Sequence, residues 1–161
     1  MEKQQFLEAV RQYQDMVYRI ALHQTGNPPD GEDAVQEVFL RLLTSKKPPE
    51  GEEHLRRWLI RVTVNYCRDL LKSPWRKRRV SLETLPEEPV FQQPEEAELY
   101  REVMKLPEKY RTVLELFYYE ELSVREIGEV LGVRETLVTT RLSRARARLR
   151  EQLREVWQDD E

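Results

Sequence analysis

Apolar residues recur at helical spacing along most of the chain. Phe6, Val10, Tyr13, Val17 and Ile20 follow one another at intervals of four, three, four and three residues, which places them on one face of a long first helix. Later segments repeat this period, and no window shows the strict alternation of apolar and polar residues that is typical of a β-strand. The pattern therefore predicts an all-α protein.

Two more helices are predicted in the first half of the chain. The segment 27–30 has the composition of a turn, and Asp30 is expected to cap the second helix. The apolar side of that helix comprises Ala34, Val35, Val38, Phe39 and Leu42. A loop at 44–53 separates it from a third helix, which is predicted from about His54 to Lys72. The residues that this third helix is expected to bury are Leu55, Trp58, Leu59, Val62 and Tyr66.

A helix-turn-helix is predicted near the end of the chain. Ser123, followed three residues later by Glu126, forms a capping box that marks the start of a short helix. Gly132 stands where a tight turn between helices needs a positive φ angle. A longer helix follows, with Arg134 at its N-cap position, and its expected buried residues are Val138, Leu142, Ala145 and Leu149. A short helix, a glycine turn and a longer polar helix are typical of a DNA-binding helix-turn-helix.

The polar side of the last helix suits the major groove of DNA. Arginines bind phosphates without reading sequence, whereas hydroxyl and methyl groups contact base edges. The candidate DNA-binding residues are Thr136, Thr139, Thr140, Arg141, Ser143, Arg144, Arg146 and Arg148. The competing interpretation is an arginine-rich amphipathic helix that packs on a protein partner.

Charge is segregated along the chain, although the net charge of the 161 residues is only −3. Residues 56–79 carry nine basic residues and one acidic residue, and residues 134–150 carry six arginines and one glutamate. Residues 80–100 lie between them and carry six glutamates and no basic residue. Two basic clusters separated by an acidic stretch suggest two nucleic-acid contacts, and the alternative is two solvated helix faces.

The acidic stretch also has the composition of a linker, because Pro86, Pro89 and Pro94 interrupt it. A chain of this length suits two small domains. The predicted parts are a first helical domain at 1–79, an acidic proline-containing linker at 80–97 and a helix-turn-helix domain at 98–161.

Composition argues against several classes of function. The single cysteine, Cys67, excludes an internal disulfide, and the histidines are not spaced as zinc ligands. The glycines form no phosphate-binding loop, and the carboxylates show no metal-binding spacing of the kind that a nucleic-acid hydrolase needs. The longest apolar run is four residues, and the N-terminus lacks the apolar segment of a secretory signal. We therefore expect a cytoplasmic protein that is not an enzyme, binds no metal or cofactor and does not insert into a membrane.

Three stretches together resemble the extracytoplasmic-function (ECF) group of bacterial sigma factors. They are EDAVQEVFLRLL (32–43), RRWLIRVTVNYCRDLLKSPWRKRR (56–79) and LPEKYRTVLELFYYEELSVREIGEVLGV (106–133) with its continuation RLSRARARLRE (141–151). They occur in the order and spacing of the family. The resemblance implies a dissociable subunit of RNA polymerase, with sigma region 2 in the first domain and sigma region 4 in the second. These regions would recognise the −10 and −35 promoter elements.

The resemblance also implies roles for particular residues. Asp33, Gln36 and Glu37 match the family's contacts with the clamp helices of the largest polymerase subunit; without the resemblance, they would be interpreted as a solvated acidic turn favoured by the helix dipole. Asn65 matches the position that lines the pocket for a flipped-out −10 base. The neighbouring residues that would bind phosphates are Arg57, Arg61, Arg68 and Lys72. Two roles are open for Trp75: it either stacks on a base or anchors its segment on the domain.

Two departures from the family pattern affect promoter specificity. The loop before the third helix lacks the aromatic residue that usually helps to enclose the flipped base. Thr139 stands where the family usually has a lysine or arginine, so the −35 sequence of the family does not transfer to this chain.

The resemblance implies core RNA polymerase and promoter DNA as partners, and an anti-sigma factor is expected by family analogy. In the family the linker threads toward the active-site cleft and the RNA exit path, where an acidic segment would occupy channels built for a polyanion. The alternative function is a helix-turn-helix regulator that never engages polymerase.

Overall fold

The computed structural model describes residues 1–73, residue 91 and residues 93–159, with side chains described as far as residue 156. All regular secondary structure within these residues is α-helical, which confirms the predicted fold class. The described helices are α1 (Lys3–Thr25), α2 (Pro28–Thr44), α3 (Glu52–Lys72), α4 (Pro94–Met104), α5 (Glu108–Tyr118), α6 (Val124–Leu131) and α7 (Glu135–Asp159). None of these helices combines the length and apolar character needed to cross a bilayer.

The chain divides into two compact units, Met1–Glu87 and Glu88–Glu161. Most of the predicted linker at 80–97 lies outside the described residues, together with Trp75 and Arg76–Arg79. The predicted domain boundaries therefore stay predictions.

The N-terminal unit packs α1 against both α2 and α3. The three helices approach closely at small side chains, because Ala21, Ala34 and Cys67 are fully buried together there. Gly31 allows a second close approach, since a Cβ atom at this position would lie 2.9 Å from the ring of Tyr18. Small residues at these positions hold α2 and α3 in fixed positions on α1.

The start of α2 differs from the prediction. Asn27, not Asp30, is the N-cap, and its Oδ1 accepts a hydrogen bond from the backbone N–H of Asp30 at 3.0 Å. Pro28 and Pro29 form the first turn of the helix instead of a separate turn. Proline is suited to this position because the first N–H groups of a helix need no partner within the helix.

The buried face of α3 is also rotated from the predicted one. Its buried residues are Leu59, Ile60, Thr63, Val64 and Cys67. Of the predicted set only Leu59 is buried, whereas Leu55, Trp58, Val62 and Tyr66 are half-buried. Thr63 is tolerated inside because its hydroxyl donates to the backbone oxygen of Leu59 at 2.6 Å.

The C-terminal unit is organised around α7, which packs against α4, α5 and α6. Gln152, near the end of α7, contacts α4 through Glu102. Nε2 of Gln152 donates to the backbone oxygen of Glu102 at 2.7 Å and to the side-chain Oε2 of Glu102 at 3.0 Å. Pro94, predicted as part of the linker, is the first residue of α4, a position that proline favours. The second unit therefore contains helix inside the range predicted as linker.

The helix-turn-helix is confirmed in α6 and α7. Both hydrogen bonds of the capping box between Ser123 and Glu126 are present. Gly132 ends α6 with φ 70°, and its N–H donates to the backbone oxygen of Gly128. Gly128 also permits close passage of the turn, because a Cβ atom there would lie 2.9 Å from the backbone oxygen of Val133. This geometry sets the direction in which α7 leaves the turn.

Candidate functional site

Three surfaces carry the predicted functional residues. The first lies on the solvent side of α2, where Asp33 and Gln36 are exposed. Glu37 is half-buried at the edge of this side, and its Oε1 pairs with Nε of Arg41 at 3.1 Å. The three predicted residues therefore share one accessible surface of the helix.

Two exposed leucines extend this surface along α2. Leu40 and Leu43 are 53% and 51% exposed, and they follow Gln36 at intervals of four and three residues. Residues at this spacing lie in one row on a helix. We call Asp33, Gln36, Glu37, Leu40 and Leu43 the acidic-apolar face of α2. Neither leucine was predicted from the sequence as a functional residue, although both lie off the buried period of the helix.

The acidic-apolar face borders α3 at Tyr66. The guanidinium carbon of Arg41 lies 5.5 Å from the centre of the Tyr66 ring. Burial raises the pKa of Tyr66, and the negative charges of Asp33 and Glu37 raise it further. Tyr66 therefore stays neutral at physiological pH and packs against the contact of α1, α2 and α3.

The second surface is a row along α3, which we call the basic row. Its residues follow one another at intervals of four, four, three and four residues and are Arg57, Arg61, Asn65, Arg68 and Lys72. The four basic side chains are exposed, and Asn65 is half-buried between them.

Contacts within and beside the basic row orient two of its side chains. Arg68 donates through Nη2 to Oδ1 of Asn65 at 3.0 Å, which fixes the orientation of the amide. Nε of Arg57 pairs with Oε1 of Glu53 at 3.1 Å. The side-chain N–H groups of Asn65 therefore point away from Arg68. In this orientation they can donate hydrogen bonds to a base.

The third surface is the polar side of α7. Five of the predicted residues are exposed: Thr136, Thr139, Ser143, Arg144 and Arg148. Thr140, Arg141 and Arg146 are half-buried. The hydroxyl of Thr139 donates to the backbone oxygen of Glu135 at 3.1 Å. The hydroxyl of Thr140 donates to the backbone oxygen of Thr136 at 2.9 Å.

Two arginines of α7 contact aromatic rings of α5. Nε of Arg146 donates to the hydroxyl of Tyr118 at 2.6 Å, and its guanidinium carbon lies 5.4 Å from the centre of the Phe117 ring. Arg148 lies over Tyr110 at 5.0 Å. These contacts give both arginines a packing role that the sequence analysis did not foresee, while their contact with DNA stays a prediction.

Two further basic residues lie beside the turn. An open cleft there is lined by Arg125 from α6 and by Arg134, which precedes α7. Arg125 pairs with Glu129 at 3.3 Å. Neither residue is among the candidate DNA-binding residues predicted from the sequence, although Arg134 belongs to the basic cluster at 134–150.

The chemistry of the three surfaces is that of binding. One surface combines acids with leucines, and two combine basic residues with amide or hydroxyl groups. Among the described residues, no group of three or more His, Cys, Asp or Glu side chains is arranged to hold a metal ion.

Comparison with known protein families places these surfaces in two matched segments. The model of sigma-70 region 2 matches residues 9–77, which include the acidic-apolar face and the basic row. The model of sigma-70 region 4 matches residues 96–149, which include the helix-turn-helix.

Similar proteins match over most of the chain. The ECF RNA polymerase sigma factor SigW of Bacillus subtilis is 30% identical, over 94% of this chain and 90% of that protein. The sigma factor RpoE from Bartonella quintana, solved with the anti-sigma factor NepR, has the same fold, with a TM-score of 0.76, 17% identity and coverage of 93% and 97% of the two chains. CnrH, solved with the cytosolic domain of CnrY, has a TM-score of 0.61 and 26% identity, over 96% of this chain and 90% of that chain.

Proposed function

The chain belongs to the extracytoplasmic-function family of bacterial RNA polymerase sigma factors, and we propose that its three surfaces divide the work of such a factor. As a member of this family, it binds core polymerase and directs transcription initiation at specific promoters. The observation that carries the proposal is the match of region 2 and region 4 to the segments that bear those surfaces. The proposed domains are 1–79 and 98–161, joined by the linker at 80–97. Helix α4 begins at Pro94, inside the range proposed as linker.

The acidic-apolar face of α2 is the proposed binding site for the clamp helices of polymerase. Its two acids, the exposed Asp33 and the half-buried Glu37, suit basic side chains on a partner. Leu40 and Leu43 offer apolar area that is accessible to a partner helix. A mixed surface of this kind gives both charge complementarity and apolar burial on association.

The basic row of α3 is the proposed binding site for the −10 element. The cations bind the phosphates of one strand, while the amide of Asn65, oriented by Arg68, bonds an extruded base. Capture of that base offsets an unstacking cost of a few kcal/mol, so strand opening proceeds by binding and contains no covalent step.

The polar side of α7 is the proposed binding site for the −35 element. The helix follows a short capped helix and a tight turn, which is the arrangement that places a recognition helix in the major groove. Arg125 and Arg134 lie where they can bind backbone phosphates beside the groove.

An anti-sigma factor is the proposed regulatory partner. In support, the similar structure of RpoE was solved with the anti-sigma factor NepR, and that of CnrH was solved with the cytosolic domain of CnrY. We propose the cytoplasm as the site of action, since polymerase and promoter DNA are there.

The test of the proposal is reconstitution of the full chain with core polymerase. We expect the triple variant Asp33→Asn, Gln36→Ala, Glu37→Gln to bind core polymerase ten-fold or more weakly, since close charge pairs at interfaces contribute about 1.5 kcal/mol or more. Binding is measured by fluorescence titration, and thermal unfolding should be unchanged because these residues lie outside the core.

The matched control is the double variant Glu8→Gln, Asp15→Asn, which removes exposed acids from α1 and should bind normally. Normal binding by the triple variant would remove the role of α2. Failure of the wild-type chain to bind core polymerase or to start transcripts would refute the function itself.

A further inference from the structure

The first turn of α7 carries an exposed apolar side chain. Leu137 is the third residue of the helix and is 40% exposed. It precedes Arg141, Arg144 and Arg148 at intervals of four, seven and eleven residues, so all four lie in one row. Leu137 is therefore an exposed apolar group in the first turn of α7, in the same row as three arginines.

The threonines of the next turn have committed their hydroxyl protons. Thr139 and Thr140 donate to the backbone oxygens of Glu135 and Thr136 at 3.1 Å and 2.9 Å. A hydroxyl has one proton, so these groups offer an approaching base a methyl group and oxygen lone pairs only. The start of α7 is therefore richer in apolar and acceptor groups than its sequence suggests.

These groups match some base pairs better than others. In the major groove thymine presents a C5-methyl group, and adenine and cytosine present amino donors, whereas guanine presents two acceptors. Apolar groups suit the thymine methyl, and acceptor oxygens suit the amino groups. The N-terminal residues of a recognition helix are the ones that contact base edges.

We propose that Leu137 determines specificity by contacting the C5-methyl group of a thymine in the −35 element. The inference rests on the proposed function of α7 as the −35 recognition helix. It adds a residue and a base contact that this function alone does not include.

The test removes single methyl groups from DNA without changing base pairing. The −35 element is first selected from a randomised promoter library with the reconstituted holoenzyme, and each thymine is then replaced by deoxyuridine. We expect affinity to fall about four-fold at one thymine, because burying one such group contributes about 0.8 kcal/mol. In the Leu137→Ala holoenzyme the ratio of affinities for thymine and uracil at that position should fall to about one.

A matched control is Leu99→Ala, which truncates an exposed leucine of α4 in the same unit and should keep the four-fold ratio. Equal binding of thymine and uracil by the wild type, or a ratio preserved in Leu137→Ala, would overturn the inference and leave the proposed function standing. If no −35 element is selected at all, the proposed function fails and the inference fails with it.

Discussion

The arginines of α7 have different surroundings, although the sequence presents them as one basic run. Arg144 is exposed, whereas Arg146 is half-buried, bonded to Tyr118 and stacked beside Phe117. A guanidinium held against aromatic rings contributes to stability through cation–π attraction as well as through its hydrogen bond. Single residues of one motif therefore differ in whether they serve the fold or the ligand.

This difference predicts separate effects of two substitutions. Arg146→Ala should lower the free energy of unfolding of the C-terminal unit by about 1–2 kcal/mol, since contacts with two aromatic rings and one hydrogen bond are lost. Arg144→Ala should leave stability unchanged and weaken DNA binding equally across sequences. Denaturant unfolding and binding titrations at several salt concentrations measure the two effects.

Arg146→Lys serves as the control, because it keeps the charge and loses the Nε bond to Tyr118. We expect its stability to lie between those of the wild type and Arg146→Ala. Equal stability of all three proteins would show that the contacts with α5 contribute nothing.

At the scale of elements, the turn between α6 and α7 decides how the recognition helix is presented. Gly132 adopts φ 70°, and a Cβ atom there would meet nothing within 4 Å. At Gly128 a Cβ atom would instead lie 2.9 Å from a backbone oxygen. The first glycine is required by backbone conformation, and the second is required by space.

This contrast predicts an order of stability among glycine variants. Gly132→Ala should cost about 1–2 kcal/mol from left-handed backbone strain alone, and Gly132→Asn should cost less because asparagine tolerates that conformation. At Gly128, asparagine should be tolerated no better than alanine, since the cost there comes from contact of the added Cβ atom with the backbone oxygen of Val133. Chemical denaturation of each variant measures the costs, and a Gly132→Asn protein less stable than Gly132→Ala would contradict this account.

At the scale of the whole molecule, charge is segregated along the chain, because two basic segments flank an acidic one. Residues 80–100 carry six glutamates, three of which precede α4 and three of which belong to it. An acidic segment is suited to the polymerase channels that hold nucleic acid.

The predicted consequence concerns Glu83, Glu87 and Glu88. Changing all three to glutamine should weaken holoenzyme formation by about ten-fold, taking about 0.5 kcal/mol for each charge interaction, or alter the release of early transcripts. Polymerase titration and the ratio of short to full-length transcripts measure these effects.

The control for this prediction changes Glu95, Glu96 and Glu98 on α4 to glutamine, which removes the same charge from a helix. If both triple variants behave as the wild type in both assays, the acidic segment has no such role.

Much of the helix-turn-helix was predictable from the sequence because its signals are local. The capping box at Ser123 and the glycine turn at Gly132 depend on residues within one or two turns of each other, and both are present in the structure. The helical period and the family motifs likewise predicted the all-α fold and the sigma-factor family, which the comparisons confirm.

Some errors are local, such as the N-cap of α2, where Asn27 caps the helix in place of Asp30, and others concern long-range packing. Which side of α3 is buried depends on where α1 and α2 lie against it, and Thr63 enters the core because a local hydrogen bond satisfies its hydroxyl. The packing of Arg146 on α5 also depends on neighbours distant in sequence. The sequence alone thus determined the helical class, the glycine turn and the family, because short-range periodicity, capping and motifs encode them. Only tertiary structure decided which side chains remain accessible to bind a partner, because accessibility is set by contacts between elements.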